Sequence, residues 1–178
     1  APAFTMGAIQ PNHGPVARKQ GRTTMGPYDL EKLFEPKTVA VFGASERPES
    51  FGTLVFRNLL ESQFKGQIYA VNPKHKRVQR KRCYANLAEI GKTVELAVIT
   101  TPARTIPEIM RQCGEEGVRA AIVLSAGFAE SGPEGARLQD QMLEQARHHG
   151  IRVMGPNCLG VVRPRLEIGR ASCRERVY

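Results

Sequence analysis

The sequence has no tryptophan, and its 178 residues include only 6% aromatics. Nucleic-acid surfaces that hold unpaired bases need aromatic stacking platforms, so this scarcity argues against such a role. Long hydrophobic runs are also missing, and no stretch approaches the ~18 uncharged apolar residues of a membrane-spanning helix. The opening Ala1-Pro2-Ala3-Phe4 has no basic segment followed by an apolar one, so no secretory signal is visible. The chain also does not open on methionine, which suggests a piece of a longer protein. Its four cysteines, Cys83, Cys113, Cys158 and Cys173, contain no C-x-x-C pair. A reducing, cytoplasmic setting fits that usage. No H-x-x-E-H spacing supplies a metal site, and no G-x-S-x-G supplies a nucleophile. Cys158 has no evident His or Asp partner and reads as a buried small residue. No catalytic residue is expected in this chain, and no metal ligand.

What is present is globular in balance, with 41% hydrophobic and 24% charged residues. The net charge of +9 is local. Residues 1–29 carry a net +2 and residues 163–178 a net +3, which leaves 18 basic against 14 acidic residues in 30–162. Six of those basic residues fall between Lys74 and Arg82. A charge confined to one loop and two tails does not describe a nucleic-acid-binding face.

The middle of the chain alternates two periods. Thr38-Val39-Ala40-Val41-Phe42, Gln67-Ile68-Tyr69-Ala70-Val71, Leu96-Ala97-Val98-Ile99-Thr100 and Ala120-Ala121-Ile122-Val123-Leu124 are short apolar runs of buried-strand type. Between them lie helical stretches: one over 53–62, one with Ile106, Ile109, Met110 and Cys113 on a single face and stopped at Gly114 or Gly117, and one over 133–148. His148 and His149 suit the negative end of that last helix. Ile151-Arg152-Val153-Met154 leads into Gly155-Pro156-Asn157. This order predicts an α/β, Rossmann-like, doubly wound parallel sheet in a single domain. The expected boundaries are a flexible leader over 1–28, the domain over 29–164 and a tail over 165–178. Residues 167–177 (EIGRASCRERV) resemble non-native read-through more than protein.

Ligands of open parallel sheets bind at the carboxyl ends of the strands, and the glycine-rich and polar segments all lie there. After the first strand, Gly43, Ser45, Ser50 and Gly52 allow a backbone to approach a diphosphate at a helix start. The spacing is neither G-x-G-x-x-G nor a P-loop, and a plain βα turn is the alternative. After the second strand, Asn72, Pro73 and Lys74, followed by Lys76, place base where an NAD-selecting domain would place acid, which suits a ligand with an extra ribose phosphate. Arg80, Lys81 and Arg82 read as a solvated basic loop. Thr101 and Pro102 follow the third strand. After the fourth, Ser125, Ala126 and Gly127 lead to Phe128, and the amides of Gly127 and Phe128 can form an anion nest, with an ordinary loop as the alternative.

Over 30–164 the chain resembles the N-terminal CoA-binding domain of NDP-forming acyl-CoA synthetases. That group comprises ADP-forming acetate–CoA ligases, related protein lysine acetyltransferases and, more distantly, the α subunit of succinyl-CoA synthetase. The matching segments are LFEPKTVAVFGAS (33–45), GQIYAVNPK (66–74), SAGFAE (125–130) and GPNCLG (155–160), in that order. The resemblance implies coenzyme A as the ligand: residues 45–52 on its diphosphate, Lys74 and Lys76 on the phosphates of its adenosine end, and residues 101–103 and 125–127 on the pantetheine side. It also implies a helix starting near Gly127 whose end, with Phe128 and Asn157, faces a phosphohistidine.

The family reaction makes acyl-CoA, NDP and phosphate from an acid, CoA and NTP. Its histidine and its ATP-grasp unit, where ATP, ADP and Mg bind, lie in further domains or subunits of an oligomeric enzyme. The chain alone is then expected to bind CoA or acyl-CoA without catalysis, as a fragment of a ligase. A lysine acetyltransferase part, a stand-alone CoA-binding regulator and an NAD(P)-binding module remain open, whereas nucleic-acid and membrane partners are not expected.

Overall fold

The computed structural model describes residues 29–62 and 64–160, so the leader, the tail and the end of the expected domain lie outside the described residues. Helix α1 (Asp29–Phe34) precedes strand β1 (Thr38–Phe42), helix α2 (Phe51–Glu61) and strand β2 (Gln67–Val71). Two short strands follow, β3 (Arg77–Val78) and β4 (Lys81–Tyr84). Then come β5 (Leu96–Ile99), α3 (Ile106–Glu115), β6 (Ala120–Val123), α4 (Pro133–His149) and β7 (Arg152–Met154).

Among the described residues seven strands form one sheet in the order β3-β4-β2-β1-β5-β6-β7. Every pairing from β4 to β7 is parallel, and only β3 runs antiparallel, against β4. This is the doubly wound parallel sheet that the alternating pattern predicts.

Strand alternation divides the core. Ala40, Phe42, Ala97, Ile99, Ala121 and Val123 face one side, where α3 and α4 contribute Ile106, Met110, Cys113, Met142 and Ala146. Val39, Val41, Leu96, Val98, Ala120 and Ile122 face the other, with Leu33 of α1 and Val55, Phe56 and Leu59 of α2. Burial on both faces is why these strands are apolar at consecutive positions. A side-chain ion pair at 2.7 Å between Lys32 and Glu95 fastens α1 to the residue before β5, and Glu95 also accepts from the Lys37 amide. Burial opposes ionisation of Glu95, but those two bonds hold its carboxyl below the usual range.

Two expectations need correction, and a third narrows to one of its alternatives. Helix α2 begins at Phe51, two residues earlier than the apolar period suggests, because Ser50 caps it. Of the two stops expected for α3, the helix runs through Gly114 to Glu115 and the left-handed Gly117, φ 77°, closes it. Gly114 is there for packing: a Cβ at that position would lie 2.0 Å from Cγ of His149 on α4. The stretch from Lys74 to Arg82 is not an open basic loop but turns into the β3–β4 hairpin, with Val78 and Cys83 buried beneath α2. Among the described residues no helix is long and apolar enough to cross a membrane.

Candidate functional site

Four of the segments singled out from sequence lie together at the carboxyl ends of β1, β2, β5 and β6, and the fifth follows β7. The first, residues 43–53, is tightly self-bonded. Gly43 adopts φ +86°, a left-handed value, and a Cβ on it would lie 2.7 Å from Oγ1 of Thr100. A Cβ on Gly52 would lie 1.9 Å from the Gly43 carbonyl oxygen. The two glycines therefore let the first turn of α2 press on the end of β1, where the amides of Phe51 and Gly52 have no helical partner and that of Thr53 is taken by Ser50. Helix starts of this kind are, in general, favourable surroundings for an anion.

The serine hydroxyls of this loop are engaged within it. Ser45 Oγ accepts from the Arg47 amide at 3.0 Å, and Ser50 Oγ accepts from the Thr53 amide at 3.2 Å as the helix cap. Their reach toward a ligand is therefore secondary to holding the backbone. The hub is Thr53, whose Oγ1 lies 2.8 Å from the Ser45 carbonyl, 2.7 Å from that of Arg47 and 2.8 Å from Ser50 Oγ. Sequence reasoning passed over Thr53. The usable signal was its place three residues after a capping serine, where a hydroxyl folds back over the helix start.

Asn72 joins the second segment to the first. Its Nδ2 donates to the Ala44 carbonyl at 2.8 Å, and its Oδ1 accepts from the Lys74 amide at 3.0 Å. Pro73, Lys74 and Lys76 are exposed, and no ion pair involves either lysine among the described residues. The hairpin also reaches this loop: the Gln79 amide donates to the Glu46 carboxylate, and Gln79 Nε2 donates to the Thr53 carbonyl at 2.9 Å.

The third and fourth segments are bonded to each other. Ser125 Oγ donates to the Thr101 carbonyl at 2.6 Å, and the Ser125 carbonyl accepts from the Asn157 amide at 3.0 Å. Pro102 and Ala126 are exposed beside them. Gly127 has φ +102°, as a nest requires, and its N–H and that of Phe128 converge on one oxygen. That oxygen is Oε1 of Glu130, at 2.7 and 3.2 Å. The amides of Gly127, of Glu130 itself and of Phe128 hold the Glu130 carboxyl below its usual range.

The nest thus forms as expected, but the chain's own carboxylate fills it. No α-helix starts near Gly127: a 3-10 turn (Ala129–Ser131) comes first, and α4 starts at Pro133 after Gly132. The extra turn follows from Gly135, where a Cβ would meet the Phe128 carbonyl oxygen at 1.8 Å. That close approach, with Phe128 fully buried, fixes the chain before the helix.

Asn157 is exposed in a left-handed conformation, φ 52°. Cys158 is half-buried rather than buried, with Sγ 3.4 Å from the Val123 carbonyl. Among the described residues no group of three His, Cys, Asp or Glu side chains is placed to hold a metal.

A protein-family profile described as a CoA binding domain matches residues 37–164. An ADP-forming acetate–CoA ligase of Archaeoglobus fulgidus is 39% identical over 145 residues, covering 82% of this chain and 21% of that protein. The α subunit of an ADP-forming acetate–CoA ligase of Pyrococcus furiosus is 42% identical over 137 residues, covering 75% of this chain and 30% of the subunit. Among solved structures, a dinucleotide-forming acetyl-coenzyme A synthetase of Ca. Korarchaeum cryptofilum, in complex with phosphate and ADP, aligns with a TM-score of 0.73 at 36% identity. That alignment covers 79% of this chain and 30% of the other. The chain therefore spans less than a third of the length of these relatives.

Proposed function

Because the chain belongs to the CoA binding domain family, we propose that it binds coenzyme A or an acyl-CoA along the carboxyl edge of β1, β2, β5 and β6. In this reading the backbone of residues 43–52 receives the diphosphate, with Gly43 and Gly52 giving access and Ser45 and Ser50 holding the loop. Asn72 and Pro73 shape the neighbouring turn, and Lys74, joined by Lys76, meets the phosphates of the adenosine end. Thr101, Pro102, Ser125, Ala126 and Gly127 line the pantetheine side. The observation that carries this reading is the loop over 43–53, whose close glycine pair presents helix-start amides beside two exposed lysines that form no ion pair among the described residues.

The parent activity is that of an ADP-forming acid–CoA ligase, of which this chain supplies the CoA-binding part, within a domain over 29–164. The relatives described above are ligases, which favours that activity over an acetyltransferase. The phosphorylated histidine and the nucleotide site belong to other domains or subunits, so this chain by itself performs no turnover. A phosphoryl group brought to Gly127, Phe128 and Asn157 has to displace the Glu130 carboxylate first.

Calorimetric titration of the full chain with CoA, 3′-dephospho-CoA and NAD tests the reading. CoA should bind, dephospho-CoA should bind at least about tenfold more weakly, a step of about 1.4 kcal/mol, and NAD should give no heat. Lys74→Ala should remove most of the difference between the first two ligands. Binding of NAD in preference to CoA would overturn the proposal.

A further inference from the structure

The β3–β4 hairpin holds two consecutive non-glycine residues, Gln79 and Arg80, at φ 48° and 64°. Two-residue hairpin turns with both positions left-handed are ordinarily made by Asn-Gly or Gly-Gly, because a Cβ there is strained. Register adds to the tension: Arg77 lies opposite Arg82 across the ribbon, a like-charge pairing that opposes strand association. Arg82 gains from its place 4.7 Å over the Tyr84 ring. The turn itself is fastened by its contacts with the loop over 43–53, through the Gln79 amide on Glu46 and the Gln79 side chain on the Thr53 carbonyl. Local strain persists where surrounding contacts over-determine it, and such outliers point to function.

We propose that Gln79 is a positioning residue for the ligand site, and that the β3–β4 turn acts as a clasp holding the anion-receiving loop in shape. Thr53 ties the loop from within, through the carbonyls of Ser45 and Arg47, and Gln79 ties Thr53 from outside. The clasp fixes where the backbone amides of the loop and the first turn of α2 point before any ligand arrives. It also sets the basic hairpin at a fixed distance from those amides, so the spacing between two phosphate groups of the ligand is selected. This inference rests on the CoA reading for the ligand, but the clasp can be tested without it.

The test is Gln79→Gly in the full chain. Glycine suits φ 48°, keeps the backbone N–H that Glu46 accepts, and loses only the bond to Thr53. The expected result has three parts: a melting temperature unchanged or raised, faster amide hydrogen exchange in residues 44–53 of the ligand-free protein, and CoA binding weakened about tenfold, with less discrimination against 3′-dephospho-CoA. Gln79→Glu, which keeps length but presents no donor to a carbonyl, should weaken CoA binding similarly. If exchange of the loop is unchanged in Gln79→Gly, or CoA binds the variant as it binds the parent, the clasp is refuted. If the parent chain binds no CoA, the ligand reading fails, and the exchange result alone decides whether the turn holds the loop.

Discussion

Thr53→Val removes one hydroxyl and keeps the shape of the side chain, and the Ser45 and Arg47 carbonyls, which share its single proton, lose that donor. Such carbonyls are costly to leave unpaired when partly buried, so urea unfolding should show a loss of about 1–2 kcal/mol. CoA titration should show about tenfold weaker binding, because the amides of the loop lose their fixed aim. At the nest, Glu130→Gln tests the bonds from Gly127 and Phe128. The folded carboxyl is held below its usual value, so its stabilisation is present above the unfolded glutamate pKa and is lost as pH falls through the folded one. Melting curves of parent and variant should differ at neutral pH and converge below about pH 4. Equal separation at every pH would show that the nest does not hold the charge. Neither residue role was readable in advance. Glycines and strand ends mark the proposed anion site in sequence, but which side chain fills or ties those loops depends on distances across the fold.

Helices α3 and α4 meet where Gly114 faces His149. Gly114→Ala has a favourable helix propensity by itself, but its methyl group would push the ring away, with an expected net loss of about 1–3 kcal/mol in chemical denaturation. The double variant Gly114→Ala/His149→Ala should recover most of that loss. Burial first, and the neighbouring His148 second, lower the His149 pKa. The unfolded chain therefore takes up that proton before the folded one, and stability should fall as pH drops below about 6.5. His149→Gln should flatten this part of the pH profile.

Elements with a strong period were legible in sequence: β1 and β2 have the bounds expected, and β5, β6 and α4 differ by a residue at one end. The β3–β4 hairpin was not, because six cations over nine positions look solvated, and only Val78 and Cys83 betray a buried face. The six-residue α1 is too short to show a period, and tertiary contacts such as that of Lys32 with Glu95 hold it.

On the scale of the molecule, the cations at and around Lys74 are exposed and, among the described residues, form no ion pair, so the field they make reaches into solvent. Binding of a CoA polyanion should weaken steadily as salt rises from about 0.05 M to about 0.5 M, over which the screening length falls severalfold. The slope should be shallower in Lys74→Ala. A salt-independent affinity would place the ligand away from this hairpin. Fold class was readable at this scale because a parallel sheet with both faces covered imposes continuous apolar strands on the chain. The site was readable only as a set of loops, since sequence shows which segments share the carboxyl edge but not which atoms bond across it.

Among the described residues the sheet ends on one side with a strand of two residues and on the other with a strand of three, each carrying an arginine. A margin that short offers few free backbone groups to a neighbouring chain, and a charge on it discourages pairing further. The central strands, apolar over four consecutive positions, are the dangerous material for amyloid growth, and in the folded state they are shielded from other molecules. Fibril formation should therefore require unfolding: seeded incubation at native temperature should leave thioflavin fluorescence flat, and the signal should appear only within the melting transition.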